Sequence, residues 1–239
     1  MGIGEHLRIE VLGQFLALLG GHRLQSGGGF GRIAVQQAQP LGDQLMVGYL
    51  LHRDSLGWAG VPAGPGIHDN ASGSAVTLEV ARQMAKVNKT GNTVRFALWG
   101  AEEIGLLGAA HHVAELSQSE RDAIAMYVNL DMVAPLDHQN TLGVLTADWS
   151  IGAESLLGAQ LDRDGHAHQP EGSNGRSDYA PFVDAGIAST GLLSIRDDNY
   201  HTPQDDIDNV SITTLTHTAR AVANLIGTLQ QDADALGTR

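Results

Sequence analysis

The chain contains no cysteine, and only 5% of its 239 residues are aromatic. The missing thiols exclude a disulfide framework, thiolate metal ligands and a cysteine nucleophile. Basic residues are also scarce, with 14 Lys and Arg against 27 Asp and Glu, which gives a formal net charge of −13. Nucleic acids and anionic membrane surfaces select basic protein surfaces, so we expect neither as a partner. No apolar run approaches the roughly 20 residues that a membrane-spanning helix needs.

The residues that are present are those of a folded domain. Hydrophobic residues make up 42% of the chain and charged residues 17%, which is enough for a buried core. The length suits one domain better than two, and no linker or internal repeat divides the sequence. We therefore predict a single domain over 1–239, with a core over 32–229 and a polar tail over 230–239. The oligomeric state stays open, with a monomer favoured.

The first 31 residues are predicted to form an amphipathic helix followed by a glycine-rich loop. Leu7, Val11 and Phe15 recur at helical spacing along this segment. A signal peptide is not favoured, because Glu5 and Glu10 lie where such a peptide carries positive charge. Localisation stays open between the cytoplasm and a mature secreted form.

Beyond residue 31, strand-like and helix-like segments alternate. Mostly apolar strands separated by helices indicate a sheet covered on both faces, so we predict a three-layer α/β/α sandwich around a mostly parallel, twisted sheet. Ligands of such folds bind beyond the carboxyl ends of the strands. The predicted strands are 32–37, 45–51, 93–99, 124–130, 141–146 and 188–195, and the predicted helices are 74–87, 106–116, 151–162 and 212–229.

Potential metal ligands follow the predicted strands or precede a predicted helix, at one edge of the sheet. They comprise two His, two Asp and two Glu: His52, Asp69, Glu102, Glu103, Asp131 and His201. Imidazole and carboxylate ligands without sulfur suit Zn²⁺, or else Mn²⁺ or Co²⁺. Six groups exceed the needs of one catalytic metal, whereas two metals could share a carboxylate and a water and leave one carboxylate as a base.

Five motifs occur in an order that is typical of one family. They are GPGIHDNASG at 64–73, FALWGAEEIGLLG at 96–108, NLDM at 129–132, SDYAPF at 177–182 and YHTP at 200–203, with DN at 208–209. This order and spacing closely resemble the co-catalytic zinc aminopeptidases, whose wider family includes glutamate carboxypeptidases, glutaminyl cyclases and transferrin-receptor ectodomains. The resemblance extends from residue 32 to residue 229 and implies a fold like that of the zinc exopeptidases.

The resemblance also implies which residues hold metal. His52 and Asp131 would hold one zinc ion, Glu103 and His201 would hold a second, and Asp69 would bridge them. The implied cofactor is thus Zn²⁺, with two ions per chain.

Other residues would support the chemistry. The resemblance makes Glu102 the general base for a water between the two ions, and Tyr200 a hydrogen-bond donor to the developing oxyanion. The spacing of Asp54 from His52 suits a carboxylate that orients a ligand, although Asp54 could cap a strand instead. Asp178 could orient a ligand or cap the following turn. Arg176 could contact substrate or form a surface ion pair.

The remaining histidines are expected to be structural or solvated. His68, where the family has a small or polar residue, is interpreted as a solvated loop residue that could otherwise compete for the metal. His111 and His112 are adjacent, so they point to different sides of a helix and are expected at the surface. His166 and His168 are placed in a solvated polar loop.

These observations predict a zinc-dependent aminopeptidase that acts on peptides with a free N-terminus. The alternatives on the same scaffold are a glutaminyl cyclase, a carboxypeptidase or an amide deacylase, and the alternative of another class is a non-catalytic binding module. Phe182, Leu192 and Leu193 could line an apolar pocket, which would favour leucine-like N-terminal residues.

Overall fold

The computed structural model describes residues 44–50 and 231 as backbone, and 64–87, 92–136, 141–146 and 152–230 in full. Six strands in these segments form one sheet. In chain order they are β1 (Gln44–Leu50), β2 (Thr93–Trp99), β3 (Ile124–Asp131), β4 (Leu142–Thr146), β5 (His168–Gly172) and β6 (Ser189–Ser194). Their spatial order is β2-β1-β3-β6-β4-β5. The strands β2, β1, β3 and β6 run parallel, whereas β4 is antiparallel to β6 and parallel to β5.

Helices cover both faces of this sheet. They are α1 (Ser72–Met84), α2 (Leu107–Glu115), α3 (Gln118–Asp122), α4 (Ala153–Arg163), α5 (Ala180–Asp184) and α6 (Ile212–Gln231). Apolar residues of α1, α4 and α6 share one buried cluster with one face of the sheet. Residues of α2 and α5 form a second cluster against the other face. The predicted three-layer α/β/α class and mostly parallel sheet are therefore confirmed.

Strand β3 lies between the two helical layers and is buried along most of its length. Met126, Val128 and Leu130 face the α1 and α6 layer, and Tyr127 faces the α2 and α5 layer. Ile124 also faces the second layer, because the pairing of β1 with β3 shifts register just after it. Burying one such apolar side chain contributes about 1.5–3 kcal/mol. The edge of the sheet at which β3 ends is thereby built on a well-packed strand.

The predicted segments match the structure closely, with some differences. The strand at 93–99 is found as predicted, and α6 runs two residues beyond its predicted end. The edge strand β5 was not predicted, because its sequence HQPEG is polar and contains a proline, which the sheet tolerates at an edge. The predicted strand at 32–37 and the N-terminal helix lie outside the described residues. Of the helices described, none has both the length and the apolar character to cross a membrane.

Candidate active site

Three of the predicted ligands meet beyond the carboxyl ends of the strands. The Nε2 atom of His201 lies 3.0 Å from Oδ2 of Asp69 and 3.0 Å from Oε1 of Glu103. One ligand atom from each residue falls within 4.8 Å of the other two. All three side chains are at least nine-tenths buried. An imidazole nitrogen and two carboxylate oxygens at this spacing are donors that suit Zn²⁺.

The sheet order explains why residues distant in the sequence converge here. Asp131 ends the central strand β3, Glu103 follows β2, and His201 follows β6. Asp69 lies in the turn Ile67–Ala71, which enters α1 at the same edge. The carboxyl ends of parallel strands lie side by side, so their loops meet at one edge.

Asn70 locks the Asp69 turn to the end of β3. Its Nδ2 donates to the carbonyl of Leu130 at 2.9 Å, and its Oδ1 accepts from the amides of Gly73 at 2.9 Å and Met132 at 3.1 Å. A Cβ at Gly73 would lie 2.5 Å from the Leu130 carbonyl oxygen, so only glycine permits this approach. The turn, which includes a cis peptide between Asp69 and Asn70, is thus fixed against the strand that carries Asp131.

Acidic side chains are concentrated at this edge. Burial, reinforced by neighbouring carboxylates, raises the pKa of Glu102 to about 9. Burial also raises the pKa of Asp69, Glu103 and Asp131. In Asp131, the Oδ1 atom is buried and has no hydrogen-bond partner among the described residues. Clustered carboxylates are costly to bury unless a cation compensates them, so the residues fit bound metal ions.

Asp178 lies beside this group but does not cap a helix. It is fully buried, and neither of its carboxylate oxygens has a hydrogen-bond partner among the described residues. Burial and then the charge of Asp131 raise the pKa of Asp178 to about 8. Helix α5 starts at Ala180 with Tyr179 as its N-cap residue, and no side chain caps it. The capping interpretation of Asp178 was therefore wrong, and its role in orienting a ligand stays a prediction.

Tyr200 and Arg176 lie at the rim of the cluster. The Tyr200 ring stacks on the His201 ring with centroids 3.7 Å apart, and the residue is 40% exposed. Arg176 is exposed, and its positive charge opposes in small part the rise that burial causes in the pKa of Asp131 and of Tyr200. These positions leave both residues accessible to a substrate. His52 and Asp54 lie outside the described residues, so their roles stay predictions.

His68 is not the solvated loop residue that was expected. It is 1% exposed, with Nδ1 at 2.7 Å from Oδ2 of Asp197 and Nε2 at 3.2 Å from the amide of Ala134. Both ring nitrogens are engaged in the protein, which leaves no lone pair directed at the metal ligands. The expectation failed because the burial of a loop residue depends on partners far away in the sequence.

Three other histidines differ from their predicted settings. His112 is half-buried, with its ring 4.8 Å from that of Trp99, and burial lowers its pKa. His166 is buried, with Nδ1 3.2 Å from Nδ1 of His217, and His168 belongs to strand β5. The surface position of His112, the solvated setting of His166 and the loop position of His168 were thus wrong, although His166 does lie in a loop. His111 is exposed, as predicted.

The proposed apolar pocket is also incorrect in part. Leu192 and Phe182 are both fully buried in the core, and the Phe182 ring stacks on Tyr127 at 3.8 Å. Neither side chain is available to a substrate. The sequence could not separate a pocket from a core at these positions, because both require apolar residues.

A buried chain of hydrogen bonds beneath the site was missed. Trp99 Nε1 donates to the Tyr127 hydroxyl at 3.1 Å, and that hydroxyl donates to Asn129 Oδ1 at 3.2 Å. Asn129 Nδ2 donates to Ser177 Oγ at 2.9 Å, and the Ser177 hydroxyl donates in turn to Asp131. The only sequence signal was that Asn129 and Ser177 lie within the NLDM and SDYAPF motifs. Hydroxyls and amides carry no periodicity that would reveal such a chain.

Backbone strain is concentrated at the same edge. Among the described residues, four that are not glycine have positive φ, and their values lie between 54° and 60°. They are Ala101, Leu106, Met132 and His201. Each is itself a proposed ligand or lies within three residues of one. Left-handed backbone is costly for residues with a Cβ and is typical of functional sites.

Comparison with known proteins is consistent with this geometry. The profile of peptidase family M28 matches residues 34–226. A probable lipoprotein aminopeptidase of Mycobacterium tuberculosis is 35% identical over 207 residues, which are 72% of this chain and 41% of that protein. Leucine aminopeptidase 2 of Trichophyton rubrum is 31% identical over 216 residues, which are 79% of this chain and 42% of that protein. A zinc aminopeptidase from Bacillus subtilis superposes with a TM-score of 0.69 at 28% identity, covering 84% of this chain and 50% of that one.

The chain spans 41% to 50% of the length of these three proteins. The family match covers most of the chain and includes the residues of the sheet edge described above. The chain belongs to peptidase family M28.

Proposed function

We propose that the chain is a metal-dependent aminopeptidase that releases the N-terminal residue of peptides. The observation that carries this proposal is the buried cluster of Asp69, Glu103 and His201, with Asp131 and Glu102 beside it. Relatives named as aminopeptidases in a bacterium and in a fungus favour this activity.

Asp69, Glu103 and His201 would hold one zinc ion, and Asp131 with His52 would hold a second, with Asp69 shared. Bound there, two zinc ions would polarise the scissile carbonyl and lower the pKa of a shared water toward about 7. The raised carboxylate pKa values support this assignment, because positive charge at the site would stabilise the ionised forms.

Glu102 is the proposed general base. The water oxygen forms a bond to the carbonyl carbon of the substrate, and Glu102 accepts the proton that the water loses. The same proton then passes to the leaving nitrogen as the C–N bond breaks. Burial and neighbouring carboxylates raise the pKa of Glu102 to about 9 in the metal-free chain, and bound cations would lower it toward the neutral range that both transfers require.

The other groups at this edge would bind the parts of the substrate that flank the scissile bond. The carboxylates of Glu102 and Asp131 offer acceptors for a free α-ammonium group. The Tyr200 hydroxyl would donate to the oxygen that gains negative charge as the carbonyl is attacked. Arg176, exposed at the rim, would contact the substrate from the solvent side. This arrangement predicts peptides with a free N-terminus as substrates.

The test is hydrolysis of leucine p-nitroanilide by the full chain before chelation, after chelation and after zinc is added back. We expect activity to be lost and then restored. The Glu102→Gln variant should keep its zinc but lose about 10²–10⁴-fold in kcat, because only the base is removed. His201→Ala should lose one of the two ions, as measured by zinc content.

Glu115→Gln is the matched control, because Glu115 is an exposed carboxylate at the end of α2 and is not one of the proposed site residues. It should retain full activity. Undiminished turnover in Glu102→Gln would contradict the base assignment. A protein that binds no zinc and cleaves no substrate would instead support a non-catalytic module.

A further inference from the structure

His68 connects three of the four segments that carry described candidate ligands, the fourth being the Glu103 segment after β2. It belongs to the same turn as Asp69, and its Nδ1 pairs with Asp197, four residues before His201, at 2.7 Å. Its Nε2 accepts from the amide of Ala134, three residues after Asp131, at 3.2 Å. A single imidazole therefore contacts the Asp69 turn, the segment after β3 and the segment after β6.

The hydrogen bonds determine the tautomer of this ring. A backbone amide can only donate, so Nε2 must present its lone pair to Ala134. The proton of the neutral ring is therefore on Nδ1, where it donates to the carboxylate of Asp197. Ser194 Oγ, at 3.0 Å from Nε2, donates its own proton to the Met132 carbonyl. The ring is held at both ends, with its side chain 1% exposed and that of Asp197 2% exposed.

A second carboxylate reinforces the same turn. Asp205 is fully buried and accepts from the amides of His68 at 2.8 Å and Asp69 at 3.0 Å. Asn209 Nδ2 bridges the two carboxylates, at 3.0 Å from Asp197 Oδ2 and 3.1 Å from Asp205 Oδ1. Asp197 in addition accepts from the amide of Asn199 at 2.7 Å. These bonds fix the backbone immediately next to Asp69 and just before His201.

We propose that His68 and Asp197 are positioning residues that set the separation of Asp69, Asp131 and His201 and thereby the metal affinity of the site. The inference rests on the proposed function, because it assigns the pair a role only if those three residues bind metal. His68 acts through the backbone of the turn and the two loops, and it touches neither metal nor substrate. Removing a group that orients metal ligands typically weakens metal binding or activity about 10–100-fold.

The test compares His68→Ala and His68→Asn in the full chain. The alanine variant loses all the ring contacts, whereas the asparagine amide can still donate to Asp197. We expect zinc affinity, measured by competition with a chelator, to fall about 10–100-fold in His68→Ala and by less in His68→Asn. The absorption spectrum of the Co²⁺-substituted protein should change as well, because ligand geometry changes. In the metal-free protein, amide exchange should accelerate at 67–71 and 197–201 while α6 keeps its protection.

His168→Asn is the matched control, because His168 also pairs with a carboxylate, Asp162 at 3.1 Å, but lies on the edge strand β5, three strands away from β3. It should leave zinc affinity and the Co²⁺ spectrum unchanged. Wild-type zinc affinity and a wild-type spectrum in the folded His68 variants would overturn this inference but leave the proposed function standing. The asparagine variant decides this if the alanine variant does not fold. A wild-type chain that binds no zinc would overturn both this inference and the proposed function.

Discussion

Tyr200 both packs against the proposed metal ligand His201 and has a proposed role in catalysis. Its ring lies against that of His201 with 26° between the planes, so the imidazole and the phenol hold each other in place. Burial, followed by the charges of Asp69 and Glu103, raises the pKa of the Tyr200 hydroxyl. The hydroxyl therefore stays protonated and able to donate.

Tyr200→Phe separates these two properties. The ring that stacks on His201 remains, whereas the donor to the developing oxyanion is lost. We expect kcat for leucine p-nitroanilide to fall about 10²–10³-fold, the usual effect of removing one oxyanion donor, with zinc content unchanged. A variant with wild-type kcat would show that Tyr200 is only a packing partner of His201.

Single residues also show which features of the site could be predicted from the sequence. Asp69, Glu103 and His201 were predicted together because each one follows a strand or precedes a helix at one edge, and strand ends can be recognised from apolar runs. The structure brings these three together, although their metal-binding role stays a prediction. His68 was misjudged because its burial depends on Asp197, 129 positions away, and no local pattern encodes that pairing.

Among the elements, helix α1 begins in close contact with the site, because its first turn packs against the end of β3 and against Asn70. Gly73 lies in its first turn, where the Leu130 carbonyl and the Asn70 side chain approach the backbone closely. Any side chain at this position would push α1 away from β3. The spacing between Asp69 and Asp131 depends on that contact.

Gly73→Ala should therefore lower both stability and activity. The new Cβ would lie 2.5 Å from the Leu130 oxygen and 2.7 Å from Asn70 Oδ1, and the Leu130 oxygen belongs to a buried strand that cannot yield cheaply. We expect the free energy of unfolding to drop by about 1–3 kcal/mol, measured by urea denaturation. Zinc affinity should fall in parallel.

Gly227→Ala provides the control within another helix. A Cβ at Gly227, in α6, would meet nothing within 4 Å, so the same substitution should be neutral or should add up to about 1 kcal/mol. If both variants lost equal stability, the loss at Gly73 could not be assigned to the close approach of the Leu130 carbonyl, and the proposed tie between α1 and β3 would be wrong.

Elements with clear periodicity were predictable from the sequence, and elements without it were not. β2 and α6 have long apolar patterns and appear nearly at their predicted bounds. β5 has the polar sequence HQPEG and is stabilised by its backbone pairing with β4, which a sequence pattern does not reveal. The short helices α3 and α5 have only five residues each, too few for a period to be recognised.

The molecule as a whole concentrates negative charge where its strands end. The net charge of −13 is spread over the sequence, but in the described part of the chain the buried carboxylates, apart from Glu79 in α1, are gathered at one edge of the sheet. In the metal-free protein, the folded-state pKa of Glu102 is about 9 and that of Asp178 about 8, both above their ordinary values. The folded chain then binds more protons than the unfolded chain between about pH 4 and 9. The metal-free protein should therefore lose stability as pH rises through that window.

Bound zinc should reverse this dependence. Cations compensate the ionised carboxylates, and zinc binds the deprotonated forms, so its affinity increases with pH. At a free zinc concentration 100 times its Kd, binding adds about 2.7 kcal/mol, or roughly 5–10 °C in Tm for a domain of this size. We expect the Tm difference between zinc-loaded and metal-free protein, measured by calorimetry, to be small at pH 5 and to widen by pH 8.

In Glu102→Gln, which lacks one titrating carboxylate, the metal-free protein should lose less stability over the same range. A Tm difference that stays constant from pH 5 to pH 8 would mean that these carboxylates do not face the metal.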